Sequence, residues 1–192
     1  MRNKINPGTF ASSSLISGFT LVELLVNVTI VSVLTALTIP AMTGMLNTQK
    51  ITSSTNTLFF GLHLARNEAI KRNARAVLCK SSTGLSCAMG GGWDQGWIVF
   101  HDANNNAALD AGEDVVQQQG PAASGIRLRG NLPVNNYVSF TSTGSAKLPS
   151  GAFQAGTFTL CMDSTGGGNV RQIVLAGTGR MRTQKGTSSD CS

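Results

Sequence analysis

The chain has 192 residues, of which 41% are hydrophobic and 12% are charged, and it carries a formal net charge of +6 at pH 7. This length fits a single domain of ordinary size, and the composition excludes a disordered polyelectrolyte and argues against a large cofactor-dependent enzyme. From Val115 onward, seven Lys or Arg residues occur with only two acids. A basic segment of this kind is typical of proteins that bind a polyanion.

The first forty residues contain a short polar segment and then an apolar run. The run from Phe19 to Ile39 is rich in Leu, Val, Ile and Thr, and it is as long as the roughly 20 residues that cross a bilayer as a helix. Arg2 and Lys4 precede it, which predicts a cytoplasmic N-terminus. Glu23 lies inside the run, where an ionised carboxylate is costly unless it pairs with a cation.

The residues from Gly18 to Glu23, with the sequence GFTLVE, resemble the processing site of type IV prepilins and type II secretion pseudopilins. The resemblance implies that a prepilin peptidase cuts between Gly18 and Phe19 and methylates the new amine of Phe19. It also implies that Glu23 meets this amine on a neighbouring subunit during assembly. An ordinary secretory signal cut near Pro40 is disfavoured, because the residues there do not form the small-x-small pattern.

Four segments follow from this interpretation: a leader peptide (1–18), a transmembrane helix (19–40), a periplasmic helix (41–76) and a β-rich head with a basic tail (77–192). One long helix is predicted from about Thr20 to Ala74, interrupted or bent at Pro40. The polar run 47–57 is weak helix sequence. An apolar stripe at helical spacing predicts packing on a sheet; its members are Leu58, Leu62, Ala65, Ala69 and Ile70. The basic residues beside it predict a solvated face rather than a phosphate site; they are Arg66, Lys71, Arg72 and Arg75.

The head contains short runs of Val, Ile, Phe and Thr between turn residues, which predict strands. The predicted strands are 76–80, 96–101, 115–118, 126–128, 137–140, 157–162 and 170–175. No helix separates them, so the sheet is predicted to be antiparallel. The fold class is therefore α+β, with a long N-terminal helix packed on an antiparallel sheet, which is the type IV pilin fold.

The chain has four cysteines, and an even number in an exported domain predicts two disulfides. Three pairings are possible. We favour Cys79 with Cys87, which closes a short loop, and Cys161 with Cys191, which would attach the tail to a strand. A zinc site is disfavoured because no two cysteines have C-x₂-C spacing.

The segment from Gly92 to Asp102, GWDQGWIVFHD, resembles the GspH/FimT subfamily of minor pilins and pseudopilins. An Asn/Asp-rich turn follows it, with oxygen-bearing side chains at Asp102, Asn104, Asn106, Asp110 and Glu113. This spacing is similar to a calcium loop, but the glycine that such a loop needs is absent, so a hairpin with Asx-turns is favoured.

The tail contains the sequence Gly179-Arg180-Met181-Arg182, followed by Lys185. Alternate residues of an extended segment point the same way, so Arg180 and Arg182 are predicted to form one phosphate clamp. The segment resembles the Gly-Arg-x-Arg motif of FimT-type minor pilins, which implies binding of double-stranded DNA at Gly179, Arg180 and Arg182, with Lys185 a weaker contact. The alternative is that the arginines pair with the acidic turn 102–114 or with a neighbouring subunit.

The sequence favours a structural assembly protein and not an enzyme, because it has two histidines and no recognisable catalytic motif. No cofactor is expected. The resemblance implies a minor pilin of the FimT/FimU type in the bacterial inner membrane, single-pass, with its head in the periplasm before it enters the pilus fibre or tip. Its implied partners are prepilin peptidase, other pilins, the inner-membrane assembly platform and DNA taken up in natural transformation. The alternative is a GspH-type pseudopilin of a type II secretion system.

Overall fold

The computed structural model describes residues 18–162 and 169–191, without the side chains of residues 37–41 and 43. The predicted leader, apart from Gly18, lies outside the described residues. The chain divides into a first unit that ends at Met42 and a second that begins at Thr43.

One helix and eight strands form the described structure. The helix is α1 (Leu21–Lys71). The strands are β1 (Ala76–Lys80), β2 (Trp97–His101), β3 (Val115–Gln119), β4 (Ile126–Gly130), β5 (Tyr137–Phe140), β6 (Gly156–Met162), β7 (Val170–Leu175) and β8 (Met181–Lys185). The helix continues without a break through Pro40, so the interruption predicted there is not observed, while the bend predicted as its alternative stays a prediction.

Residues next to α1 explain where the helix begins and ends. The hydroxyl of Thr20 accepts a hydrogen bond from the backbone N–H of Glu23 at 3.2 Å, which caps the first turn. Beyond the other end, Asn73 has a φ of 50°. A left-handed residue at this position is a common helix stop, and asparagine tolerates it better than most residues.

The strands form two antiparallel four-stranded sheets. The first sheet has the order β3-β2-β1-β5 and the second β4-β6-β7-β8. A single large core joins both sheets to α1 within the second unit. The helix residues that enter it are Ile51, Leu58, Leu62, Ala65 and Ala69, each no more than 1% exposed. Ile70, which the sequence placed in the same stripe, is 46% exposed.

Two disulfides are formed, Cys79–Cys87 and Cys161–Cys191, and these are the pairs that the sequence favours. The first closes the loop after β1. The second attaches the C-terminal 3-10 turn Ser188–Cys191 to β6. No described cysteine is free.

The turn after β2 holds the five side chains considered as calcium ligands, and all five form hydrogen bonds within the turn. Asp102 accepts two backbone amides of the turn, at 3.0 and 2.9 Å. Asp110 accepts the side-chain amides of Asn104 and Asn106 at 2.8 and 2.7 Å, and these bonds lower the pKa of Asp110. Glu113 accepts two further backbone amides. The carboxylates therefore stabilise a hairpin of Asx type, and no metal-binding group of three or more His, Cys, Asp or Glu side chains occurs in residues 18–162 and 169–191.

A buried histidine at the end of β2 gives the fold a defined pH dependence. The Nε2 atom of His101 lies 3.9 Å from a carboxylate oxygen of Glu68, and Arg72 bonds both Glu68 and Asp114. Burial lowers the pKa of His101 from its ordinary value of 6.5, and the charge of Arg72 lowers it further, against the opposing carboxylates Glu68, Asp114 and Glu113. The folded state therefore favours the neutral form of this imidazole.

We expect the free energy of unfolding to fall as the pH drops below 6.5, because the unfolded chain then binds a proton that the folded His101 does not. The loss stops once the pH is below the folded pKa. Urea unfolding of the second unit at about pH 7.5 and pH 5.5 measures it. In a His101→Gln variant, the free energy of unfolding should fall less between these two pH values than in wild type. The control His63→Gln should keep the contribution of His101 to this fall. Equal dependence in wild type and His101→Gln would contradict the assignment.

Candidate nucleic-acid interface

The predicted DNA-binding segment forms the hairpin between β7 and β8. β8 was not predicted as a strand, although the segment was correctly predicted to be extended. It lies at the edge of the second sheet and pairs there only with β7. In the turn, the N–H of Gly179 donates to the carbonyl of Ala176 at 2.8 Å, and the N–H of Ala176 donates to the carbonyl of Arg180 at 2.9 Å. These two hydrogen bonds fix the backbone position of Arg180 at the end of the turn.

Gly179 packs this hairpin against a second turn and the helix. Its φ is +80°, and it is buried. A Cβ atom at this position would lie 1.9 Å from the carbonyl oxygen of Gly144. That oxygen accepts a hydrogen bond of 2.9 Å from the Nε atom of Arg66 on α1. The requirement for glycine is therefore both conformational and steric.

Arg180 and Arg182 are both exposed and two residues apart. Met181 packs against the core, so Arg182, as the next residue of the strand, points to the opposite, outer face of the second sheet. In the part of the chain that the structure describes, neither arginine forms a salt bridge, and the acidic turn instead supplies Asp114 to Arg72. The predicted pairing with the acidic turn is thus not observed, and two guanidinium groups are available to an anion.

Lys185 does not lie with the arginine pair. It is three residues from Arg182, so it points to the other face of β8. Its register partner on β7 is Arg171. The structure therefore separates Lys185 from the clamp, although it lies on the same exposed strand.

Sequence reasoning missed two basic residues on the outer face of the second sheet. β4 has the sequence Ile126-Arg127-Leu128-Arg129, in which the two apolar residues are buried and the two arginines exposed. The alternation of apolar and basic residues is the signal that could have indicated them.

The predicted processing and assembly residues lie where α1 begins. Gly18 and Phe19 precede the helix, and Phe19 is 80% exposed. Glu23 is exposed in the first helical turn. Among the described residues, the structure contains no helix with the length and hydropathy of a membrane span. The predicted span 19–40 is not confirmed and stays a prediction.

A long N-terminal helix whose later part packs on antiparallel sheets defines the type IV pilin class of folds, as the sequence predicted. The family model described as type II transport protein GspH matches residues 54–179, which is well over half of the chain. The chain therefore belongs to the GspH family. The match ends at Gly179, so Arg180 and Arg182 lie outside it.

Solved structures show the same fold. The type IV minor pilin FimU of Pseudomonas aeruginosa PAO1, in a P21 crystal, is 19% identical with a TM-score of 0.52, over 71% of this chain and 89% of that chain. Its P65 crystal form gives 18% identity and a TM-score of 0.50, over 69% and 91%. The minor pseudopilin EpsH of the Vibrio cholerae type 2 secretion system is 12% identical with a TM-score of 0.49, over 71% of this chain and 97% of that chain. No curated protein matches the chain.

Proposed function

We propose that the chain is a minor pilin of a type IV pilus, and that it binds double-stranded DNA through Gly179, Arg180 and Arg182 during natural transformation. The observation that supports this is the pair of exposed arginines, Arg180 directly before the edge strand β8 and Arg182 within it, next to the packed turn at Gly179. Arginine presents its donors in a planar fork that matches phosphate oxygens, so two of them two residues apart suit a phosphate backbone. Lys185 is a weaker candidate contact because it points to the other face.

Processing and membrane insertion form the second part of the proposal. Prepilin peptidase would remove residues 1–18 and methylate Phe19, and residues 19–40 would anchor the chain in the bacterial inner membrane with its head in the periplasm. Glu23 would then pair with the amine of Phe19 on a neighbouring pilin as the assembly platform adds the subunit to the fibre or its tip. The exposed position of both residues at the start of α1 supports this contact. No catalytic role and no cofactor are proposed.

A second candidate is a minor pseudopilin of a type II secretion system, without DNA binding. The description of the matched family, type II transport protein, favours it. The two candidates share their processing and assembly residues and differ in the role of the tail. DNA binding therefore separates them.

The test uses the second unit as a separate protein. From Thr43 onward the chain contains both sheets, both disulfides and the buried part of α1, so this unit is expected to fold alone. It should retard duplex DNA at low salt. Each lost phosphate contact lowers the log–log salt slope by about 0.9, so Arg180→Ala/Arg182→Ala should lower it by about 1.8 and weaken binding roughly 60-fold at 0.1 M salt.

The control variant is Lys50→Ala/Lys71→Ala, which removes the same charge from exposed positions on α1. It should bind DNA nearly as well as wild type. Retardation by the arginine variant equal to wild type would rule out the tail as the DNA-binding site.

A further inference from the structure

The outer face of the second sheet carries arginines at both of its edges. In β4, Ile126 and Leu128 are 6% and 3% exposed, which directs Arg127 and Arg129 away from the core. In β8, the same alternation directs Arg182 outward. Because β4 and β8 are the two edge strands, the arginines flank the face from opposite sides.

The residues between these edges are neutral. Arg129 is opposite Thr159, Thr159 is opposite Gln172, and Gln172 is opposite Gln184, so one row of polar side chains crosses all four strands. The next row runs through Thr157 and Val174 to Arg182. No outward position of the four strands carries an acid or an aromatic residue. The outward side chains of the strands themselves therefore do not repel a polyanion.

The C-terminal 3-10 turn Ser188–Cys191 packs on β6 and β7 at this face, and it carries one acid. Asp190, in the 3-10 turn that the Cys161–Cys191 disulfide attaches to β6, lines a small cleft together with Arg127 and Arg129. Its carboxylate accepts the backbone N–H and the hydroxyl of Thr187 at 2.7 and 2.9 Å, and these bonds lower its pKa. With Arg127, Arg129 and Arg182 against this single acid, the described part of the face keeps a charge of 3 − 1 = +2, and Arg180 in the adjoining turn adds a further positive charge. Arg127 has further interactions of its own, so a phosphate contact at this edge depends mainly on Arg129.

We propose that the outer face of the second sheet forms one extended duplex-binding surface, in which Arg127 and Arg129 supply a second phosphate contact across the sheet from Arg180 and Arg182. The proposal rests on the proposed function of the tail and enlarges its site. Three strand spacings place the two edges about 14 Å apart. This is close to the roughly 12 Å width of the major groove, so long arginine side chains at the two edges can reach phosphates on both sides of a groove. The lack of aromatic residues on the face argues against single-strand binding by base stacking.

The experiment measures duplex binding by the unit that begins at Thr43 as a function of salt. The variants are Arg127→Ala/Arg129→Ala, Arg180→Ala/Arg182→Ala and their combination, with Lys50→Ala/Lys71→Ala as the charge-matched control. Each arginine in contact with a phosphate should contribute about 0.9 to the log–log slope and about eightfold to affinity at 0.1 M salt. Because the two pairs are about 14 Å apart, their effects should add, and the combined variant should lose about 3.6 in slope.

A single Arg129→Gln variant keeps the test valid if changes at Arg127 disturb the C-terminal turn. Its affinity for duplex DNA should fall about eightfold at 0.1 M salt, and its thermal unfolding should be unchanged. Wild-type binding by both the β4 pair variant and Arg129→Gln, with weakened binding by the tail variant, would overturn this inference and leave the proposed function standing. The reverse pattern would overturn the role of the tail and leave the β4 edge as a binding site.

Discussion

A Gly18→Val chain is expected to keep its first eighteen residues in cells that contain prepilin peptidase, whereas the wild-type chain should begin at a methylated Phe19. No atom of the described residues lies within 4 Å of the position that a Cβ of Gly18 would take. The substitution therefore meets no steric obstacle in the described residues, and its effect is expected where the peptidase must approach the backbone. We expect cleavage to be lost completely. Methylation is then lost as well, because an uncleaved chain lacks the free amine of Phe19. Mass spectrometry of the intact chain measures it.

Gly44→Val is the matched control, since the part of the chain that the structure describes also places no atom within 4 Å of a Cβ at Gly44. It should be processed normally. A Glu23→Gln chain should be processed as well, but it should enter fibres poorly because the neutral amide cannot pair with the ammonium group of Phe19. A wild-type chain that retains Met1 in the presence of the peptidase would refute the processing proposal, and normal assembly of Glu23→Gln would refute the role of Glu23.

The helix shows what a local pattern can and cannot predict. The stripe from Leu58 to Ala69 follows from spacing alone, and its members are buried. The polar run before it was predicted to be weak helix, yet it is helical throughout. Ile51 and Thr55 are buried there, and the hydroxyl of Thr55 donates to the carbonyl of Ile51 at 2.7 Å. Tertiary packing thus overrides low helix propensity, and that packing depends on residues distant in sequence.

The basic residues at the end of α1 could not be assigned from the sequence. The guanidinium of Arg66 bonds the carbonyl of Gly144, and that of Arg75 bonds Asn105, Ser139 and the carbonyl of Lys147. These partners lie 30 to 78 residues away along the chain, so charge spacing on the helix does not indicate them. What was predicted as a solvated face is in large part a set of structural contacts to the head.

The candidate site shows the same division between local and long-range information. The motif of Gly179, Arg180 and Arg182 is local, and its exposed, extended form was predictable. The strand order β4-β6-β7-β8 is not local, and only that order places Arg129 on the same face as Arg182. Strand neighbours are set by packing of the whole sheet, which one sequence does not reveal.

Gly179→Ala should be among the most destabilising single substitutions in the head. A residue with a side chain at a φ of +80° costs about 1–2 kcal/mol. The new Cβ would also lie 1.9 Å from the carbonyl oxygen of Gly144, so one of the two backbones must move. Displacing that carbonyl weakens its hydrogen bond from Arg66, and overpacking of this kind costs about 1–3 kcal/mol. We therefore expect a loss of about 2–5 kcal/mol in urea unfolding of the second unit.

Gly151→Ala separates the two causes. Gly151 has a φ of +89° but no atom within 4 Å of its Cβ position, so this variant should lose only the conformational part, about 1–2 kcal/mol. If both variants lose the same amount, the contact between the two turns does not hold the hairpin in place. If Gly179→Ala loses more and the folded fraction also binds DNA more weakly, the packed turn positions the arginines, because neither guanidinium is altered by the substitution.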